Sequence, residues 1–438
     1  MIEGDRRSQE ALKPGDCLYE KGQESAWVVR DILGCGGTSV LYEIGRADGD
    51  ESFAMKECFP PMDRMNHIYR RTEGIIRPDM KYGQKTFLNE MKQMFQKEVK
   101  VSHILRETAD ARILEIYGMM NIERIVHDGQ EYSDVSEGCF LRMERFASPA
   151  KKGCFLADIL KRHEKEDRTV CCQEAVELIR QILRALDCFH RNGYLHGDIQ
   201  PGNIYFRDYH EDTWEAEYAT LVDFATARKL KEDLKTECIT DLRSVFSTPG
   251  YTPPELMGTD EDKDENGVRL TLRLGPQVDI YATGCLFLYL ISSEIQREIF
   301  EEDIRRDGYL AYRDSYLLDE QMNRIECPET ARDELRRIIK KALSRRPEER
   351  YENAYLMEKD IEGLLQMVRN ANRRDPRNNQ AYGQVEQERM YTKRIEPVGE
   401  CYVRRGDLLE ELGQKLCVQK DKRFCFLHGI GGGSMSIL

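Results

Sequence analysis

The sequence lacks both a surplus of basic residues and a long apolar run. Its 66 lysines and arginines are outnumbered by 79 aspartates and glutamates, which gives a formal net charge of −13 at pH 7. A general nucleic-acid binder needs surplus cations to pair with phosphates, so this balance argues against that class. The longest largely apolar run, residues 281–291, is far shorter than the ~20 residues that span a bilayer. We therefore expect no membrane anchor and no nucleic-acid partner.

Cysteine spacing typical of a zinc site or a secreted scaffold is also missing. The 14 cysteines are scattered, none stands in a C-x-x-C arrangement, and only Cys171 and Cys172 are adjacent. The first ten residues are charged and lack the apolar core of a secretory leader. We expect free thiols and a cytoplasmic protein.

The first part of the chain is patterned as a strand-rich lobe with one helix. Apolar stretches at 26–33 and 40–44 flank a glycine cluster, which predicts a strand, a tight loop and a second strand. A further strand is expected at 52–56, whereas the polar segment 59–86 is interpreted as an insertion. Apolar residues then recur at helical spacing between 87 and 105.

The remainder is predicted to be mainly helical, ending in a polar linker. Residues 173–192 are strongly amphipathic and are followed by Gly193, a typical helix stop. Weaker helical patterns recur at 278–292, 333–343 and 354–372. A length of 438 residues suits two or three structural units, at roughly 150 residues each.

The glycine cluster and a following lysine form the first chemical motif. The loop consists of Gly34, Cys35, Gly36, Gly37, Thr38 and Ser39. Glycines let a backbone approach phosphates closely, and Lys56 ends the next predicted strand. Taken alone, the glycine cluster is more commonly a hairpin turn, and a lysine at a strand end is normally just solvated.

Two acidic elements follow the predicted 173–192 helix. Asp198 and Asn203 lie in residues 196–203, and Asp223 lies in residues 221–225. A single acidic loop residue is often a turn former. Together with the loop and Lys56, however, these residues provide what phosphoryl transfer from ATP needs: a phosphate cradle, a cation, oxygen ligands for magnesium and an acceptor for the attacking hydroxyl.

The order of these motifs resembles the protein-kinase family, and in particular bacterial kinases of the eukaryotic type. That resemblance implies an α+β, two-lobed kinase fold at residues 22–368, with a small antiparallel β lobe at about 22–146 and a large helical lobe at about 147–368. Residues 1–21 are then an N-terminal extension, and residues 369–400 a polar linker.

The resemblance also implies roles for individual residues. Asp198 would accept the proton of the attacking hydroxyl, and Asn203 and Asp223 would bind Mg²⁺. Lys56 would contact the α- and β-phosphates of ATP and pair with Glu98. The glycine-rich loop would cover the phosphates.

Two further assignments concern the nucleotide site. Glu90 is an alternative partner for the lysine, and Glu98 is favoured because of its spacing from the next strand. Met143 would be the gatekeeper of the adenine pocket, and Glu144 and Phe146 would meet adenine through backbone groups. An ordinary buried strand would show the same pattern.

Three matches outside the nucleotide site are structural. Residues 248–255 resemble the end of a kinase activation segment, which builds a peptide-docking platform and argues against a small-molecule kinase. Asp279 would brace the catalytic loop, and Arg350 would pair with Glu255.

Three positions depart from the family pattern. Gln200 replaces a lysine near the γ-phosphate, Ala225 replaces the glycine after Asp223 and Phe224, and Gly197 replaces an arginine that pairs with phosphate. We expect slow transfer of the ATP γ-phosphoryl group to serine and threonine hydroxyls of proteins, including autophosphorylation. The alternative is an ATP-binding pseudokinase that acts as a scaffold.

Residues 401–438 resemble the truncated start of a STAND-type P-loop NTPase. A P-loop needs a glycine and a lysine where Ser434 and Met435 stand. This segment is therefore expected to be a truncated module, or a cloning or frameshift tail, without a working second nucleotide site.

Overall fold

The computed structural model describes residues 7–374, apart from 36–38, 48, 61–68, 79–83, 108–111, 134, 137, 146–152, 167–169, 208–217, 233–247, 249, 258–272 and 293–326. The chain divides into two compact units, Met1–Arg374 and Asp375–Leu438. The second unit, with the stretch predicted to resemble an NTPase, lies outside the described residues.

The small lobe is an antiparallel sheet accompanied by one long helix. Its elements are α1 (Arg7–Glu10), β1 (Cys17–Glu20), β2 (Trp27–Cys35), β3 (Ser39–Arg46), β4 (Ser52–Cys58), β5 (Tyr69–Thr72), β6 (Ile75–Pro78), α2 (Gln84–Arg106), β7 (Ile116–Met120), β8 (Ile122–His127), β9 (Gln130–Tyr132) and β10 (Phe140–Met143). Eight of the strands form one sheet in the order β7-β10-β4-β3-β2-β1-β8-β9. Strand β4 lies between β10 and β3, and its residues 54–58 are all buried, so side chains on both of its faces are covered.

The large lobe is mainly helical. Its elements are β11 (Gly153–Phe155), α3 (Leu156–Glu166), α4 (Cys172–Arg191), β12 (Tyr194–Leu195), a 3₁₀ turn (Pro201–Asn203), β13 (Ile204–Arg207), β14 (Tyr218–Leu221), β15 (Arg228–Lys229), α5 (Pro254–Met257), α6 (Gln277–Ile291), α7 (Glu329–Ala342), a second 3₁₀ turn (Pro347–Glu349) and α8 (Ala354–Arg374). The α+β, two-lobed prediction is confirmed.

Helices α4 and α6 form the centre of the large lobe. The predicted amphipathic helix is α4, and Gly193 follows it with a left-handed φ of 71°. The apolar run near 281–291 is α6, which is buried on nearly every side, as expected for a helix that is apolar all round. A Cβ at Gly284 would lie 2.9 Å from Cβ of Ala342, so α6 and α7 approach closely there. Among the described residues, no helix combines the length and hydropathy needed to cross a bilayer.

Two elements of the small lobe are not anticipated by the sequence patterns. Strand β1 lies within residues 1–21, predicted as an extension, and pairs with both β2 and β8. The segment interpreted as an insertion contains the hairpin β5–β6, whose turn residues Glu73 and Gly74 have φ values of 52° and 81°. Such a turn is usually marked by Asn-Gly or Asp-Gly, whereas the residues at this turn are Glu-Gly.

The hairpin is anchored to β4 by a buried ion pair. Arg71 binds Glu57 through NH2–Oε2 at 2.6 Å and NH1–Oε1 at 3.0 Å, and both side chains are almost fully buried. The hydroxyl of Tyr42 donates to the same carboxylate at 2.7 Å. The Arg71 Nε also donates to the carbonyl of Glu10 at 2.7 Å. We call Tyr42, Glu57 and Arg71 the Glu57 cluster; it joins the amino-terminal segment and the hairpin to the strand that carries Lys56.

Candidate active site

Lys56 lies at the centre of a charged triad between the two lobes. It projects from β4, and its Nζ lies 2.9 and 3.1 Å from the two carboxylate oxygens of Glu98 on α2. Oδ1 of Asp223, in the large lobe, lies 3.0 Å from the same Nζ. Glu98 is the partner that the helix–strand spacing favours; the side chain of Glu90 lies outside the described part of the chain.

The triad shifts the titration of all three groups. Burial raises the pKa of Glu98 to about 7, while the Lys56 ammonium opposes this shift and the Asp223 carboxylate adds to it. Burial alone would lower the pKa of Lys56, but the two carboxylates outweigh it and raise that pKa. Desolvation acts against the charged form of Asp223 as well, yet the neighbouring ammonium keeps its pKa below the usual value. Lys56 is therefore a cation at neutral pH. As the pH falls, Glu98 takes up a proton before Asp223 does.

Three donors fix the carboxylate of Asp198. Nε2 of Gln200 and Nδ2 of Asn203 each lie 2.8 Å from Oδ2, and Oγ1 of Thr248 lies 2.8 Å from Oδ1. The contacts from Gln200 and Thr248 are not apparent from the motifs, because they depend on how the loop and the activation segment fold together. The carboxylate is consequently held in one orientation at the cleft.

Asp279 braces the backbone of this loop, as its motif predicts. Its carboxylate accepts the amide of His196 at 2.9 Å and the amide of Gly197 at 2.8 Å. His190 Nε2 lies 3.0 Å from the same group, while its Nδ1 accepts the amide of Ala354 at 3.1 Å. That second bond assigns the imidazole proton to Nε2, facing Asp279. Burial acts to raise the pKa of Asp279, but the bond from His190 and the amides lower it.

Phe224 secures Asp223 from the core side. Its ring lies 5.4 Å from that of Phe189 and 6.1 Å from that of His196, both edge-on. Asp223 itself adopts a left-handed φ of 63°, a strained value for a non-glycine residue. The packing of the neighbouring ring holds this conformation and directs the carboxylate towards Lys56.

Ala225 fits its position without backbone strain. In the described part of the chain, the non-glycine residues with positive φ are Glu73, Asp128 and Asp223, so Ala225 has an ordinary φ. Its carbonyl accepts a 2.9 Å hydrogen bond from Nζ of Lys97. The departure from glycine therefore leaves the geometry of Asp223 intact.

The oxygen atoms beside Asp198 suit a magnesium ion. Nδ2 of Asn203 bonds to the carbonyl and carboxylate of Asp198, so the amide oxygen faces away from that residue. The side chain of Asp223 is 42% exposed to the cleft. Mg²⁺ prefers oxygen ligands and commonly takes one or two from the protein and the rest from phosphates and water. The described residues contain no group of three or more His, Cys, Asp or Glu side chains that could hold a metal ion.

The glycine-rich loop is described only at its two ends. Gly34 and Cys35 end β2, and Ser39 begins β3. A Cβ added at Gly34 would meet no atom within 4 Å, so this face is open. Gly36, Gly37 and Thr38 lie outside the described residues.

The predicted hinge follows β10. Met143 is buried at its end, and the amide of Glu144 donates to the carbonyl of Glu115 at 2.9 Å. The carboxylate of Glu144 binds NH2 of Arg207 on β13 at 2.7 Å, an ion pair that no motif indicates. Phe146 lies outside the described residues.

The predicted pair between Glu255 and Arg350 is present. The two guanidinium nitrogens of Arg350 each lie 2.8 Å from one carboxylate oxygen, and the arginine side chain is fully buried. NH1 also donates to the carbonyl of Gln277 at 3.0 Å. Arg350 thereby joins the turn before α8 to helices α5 and α6.

Comparison with known proteins agrees with this geometry. The family described as the protein kinase domain matches residues 27–361, more than half of the chain. The chain is 22% identical over 258 residues to mouse dual specificity protein kinase TTK, covering 59% of this chain and 25% of that protein. It is 28% identical over 172 residues to a probable serine/threonine-protein kinase PknB of Bifidobacterium longum, covering 39% of this chain and 21% of that protein.

Solved structures share the fold. The structure described as the apo form of PpkA-294 superposes with a TM-score of 0.50 at 20% identity, covering 81% of this chain and 99% of that one. The chain spans about a quarter of the length of the first curated relatives that it matches.

Proposed function

The chain belongs to the protein kinase family, and from that premise we propose that it transfers the γ-phosphoryl group of ATP to serine and threonine hydroxyls of proteins, itself included. The observation that carries this proposal is the assembled site: Lys56 pairs with Glu98, and the carboxylate of Asp198 is held by three hydrogen bonds. These contacts support the proposed roles of Lys56 as the phosphate-binding cation and Asp198 as the base.

The residues divide the chemistry between them. Lys56, held by Glu98, binds the α- and β-phosphates and neutralises part of their charge. Asp198 orients the acceptor hydroxyl in line with the γ-phosphate and takes its proton. Asn203 and Asp223 would hold Mg²⁺, which screens the phosphate oxygens when bound. Because hydrogen bonds already hold the side chains of Lys56 and Asp198, little free energy is needed to reorganise the site for transfer.

A serine or threonine acceptor is supported by the activation segment and by the relatives. Thr248 links the start of the platform to Asp198 through a 2.8 Å hydrogen bond. This contact supports a peptide-docking segment that lies next to the proposed base. The relatives whose printed names give a specificity act on serine and threonine or have dual specificity.

An autophosphorylation assay tests the proposal. The full chain is incubated with labelled ATP and Mg²⁺ beside the variant Asp198→Asn, and phosphoamino-acid analysis identifies the acceptor. Label on serine or threonine in the wild type, lost in the variant while ATP binding persists, is the expected result. Equal ATP binding with no label in either protein would instead establish a nucleotide-binding pseudokinase.

The cytoplasm is the proposed location, because ATP is abundant there and free thiols are maintained there. The C-terminal stretch 401–438 is proposed to contribute no second nucleotide site. Met435 cannot donate a hydrogen bond to phosphate. Ser434 stands where a P-loop has the glycine that lets the backbone approach the phosphates closely.

A further inference from the structure

Two cysteines that are distant in sequence meet inside the large lobe. Sγ of Cys172 and Sγ of Cys327 lie 3.3 Å apart, although the residues are separated by 155 positions. Cys172 is the first residue of α4, and Cys327 lies just before α7. Their exposed fractions are 6% and 8%, and both residues belong to the hydrophobic core of the large lobe.

The two thiols differ in their chemistry. The S–H of Cys172 donates to the sulfur of Cys327, which lowers the pKa of Cys327; burial opposes that shift and the charge of Arg332 supports it. The same hydrogen bond, together with burial, raises the pKa of Cys172. Since the thiolate is the nucleophile in sulfur chemistry, Cys327 is the attacking member and Cys172 the resolving member.

We propose that Cys172 and Cys327 form a redox-active dithiol, a modification site that a peroxide converts into a disulfide. In the first step the Cys327 thiolate attacks one peroxide oxygen, the O–O bond breaks, and the other oxygen leaves as water after taking a proton. The sulfur of Cys172 then attacks the sulfur of the resulting sulfenic acid, the S–O bond breaks, and the hydroxyl leaves as a second water with the proton of the Cys172 thiol. Overall, two thiols lose two hydrogens, and hydrogen peroxide is reduced to two waters.

The contact geometry favours bond formation over separate oxidation. The sulfurs must move only from 3.3 Å to the covalent distance of about 2 Å. Because the resolving thiol already touches the attacking sulfur, a sulfenic acid at Cys327 is captured before a second peroxide can react with it.

Such a bond would join the start of α4 to the segment before α7. It would close a loop of 155 positions, and cross-links across long loops restrict the unfolded chain strongly. Neither cysteine contacts the triad or the Asp198 loop in the described hydrogen bonds. The site is therefore a redox-dependent stabiliser of the large lobe, and it does not depend on the proposed phosphoryl transfer.

Peptide mapping tests this proposal directly. The full chain is purified with reductant, freed of it, treated with dilute hydrogen peroxide, blocked with an alkylating reagent and digested without reduction. We expect a peptide linking Cys172 to Cys327, which disappears on treatment with dithiothreitol, and a rise in Tm of about 5 °C or more in the oxidised protein.

Matched variants separate this site from general thiol oxidation. Cys188→Ala changes another buried cysteine of α4 and should keep both the linked peptide and the Tm rise. Cys172→Ala and Cys327→Ala should each lose both. If either variant fails to fold, alkylation of the wild type tests the proposal instead. After peroxide, neither cysteine should react with the alkylating reagent, and both should react again after reduction. Wild-type protein in which peroxide yields separate sulfinic acids, or leaves both thiols open to alkylation, would overturn the proposal.

Discussion

Nε2 of Gln200 donates a 2.8 Å hydrogen bond to Oδ2 of Asp198. The glutamine thus orients the proposed base, although it brings no charge to the γ-phosphate. We expect Gln200→Ala to lower kcat about tenfold with little change in KM for ATP, because a positioning contact at the reacting end is lost. Gln200→Lys should match or exceed the wild-type rate by adding a cation there. Steady-state kinetics on a peptide substrate measures both, and an unchanged kcat in the alanine variant would show that Asn203 and Thr248 suffice.

Asp223→Asn should abolish magnesium-dependent transfer while the fold survives. The substitution removes a charged oxygen ligand, so we expect kcat to fall by at least about a hundredfold. Circular dichroism and Tm should stay close to the wild type, since the side chain is partly exposed at the cleft. Turnover equal to the wild type at saturating Mg²⁺ would contradict the assignment of this residue.

Arg71→Ala should destabilise the small lobe severely. It would leave the buried carboxylate of Glu57 without its cation, a loss that typically costs about 3–5 kcal/mol. Arg70→Ala is the matched control, because Arg70 is half exposed and its pair with Glu10 should contribute at most about 1 kcal/mol. Denaturant unfolding compares the two. If both variants lost the same free energy of unfolding, the buried Glu57 cluster would stabilise the small lobe no more than the exposed pair does.

The raised pKa of Glu98 predicts opposite trends in activity and stability. As pH falls through about 7, Glu98 takes up a proton and its bond to Lys56 weakens, so kcat/KM should fall. For folding the sign is reversed, because the native pKa lies above the unfolded value of 4.5. The ionised group costs stability above pH 7, and that cost is relieved progressively as the pH falls from about 7 towards 4.5. Parallel rate and unfolding measurements from pH 8 to 6 check this. Glu98→Gln should remove this step from both profiles.

ATP should bind with a stoichiometry of one. Calorimetric titration of the intact chain and of a shortened chain ending at Arg374 should give the same ratio, because Met435 cannot replace a phosphate-binding lysine. A second equivalent bound by the intact chain alone would mean that residues 401–438 are a functional nucleotide-binding module.

The residues that could be predicted are those whose chemistry is local in sequence. Lys56, Asp198, Asn203 and Asp223 occur in short motifs, and the structure pairs Lys56 with Asp223 and Asn203 with Asp198. Glu98 could be predicted as the partner of Lys56 from its distance in sequence to the next strand, because helices and strands have fixed rises per residue.

What escaped prediction depends on long-range packing. Strand β1 is only four residues long, too short for a clear alternation, and its place in the sheet is set by its partners. The hairpin β5–β6 is polar because Arg71 reaches inward to a buried carboxylate, so its pattern looks like a solvated insertion. Likewise, Thr248 is 50 positions from Asp198, and no local rule connects them.

The line of hydrogen bonds from Ala354 through His190 and Asp279 to Gly197 has a consequence for sequence variation. The side chain at position 190 must accept one hydrogen bond at one end and donate another at its other end. A neutral imidazole can do both, whereas most side chains of similar size cannot. Positions 190 and 279 are therefore expected to covary: a relative that lacks the histidine must also change how the amide at 354 and the carboxylate at 279 are satisfied. We therefore expect substitutions at the start of α8 and in the loop before Asp198 to occur together.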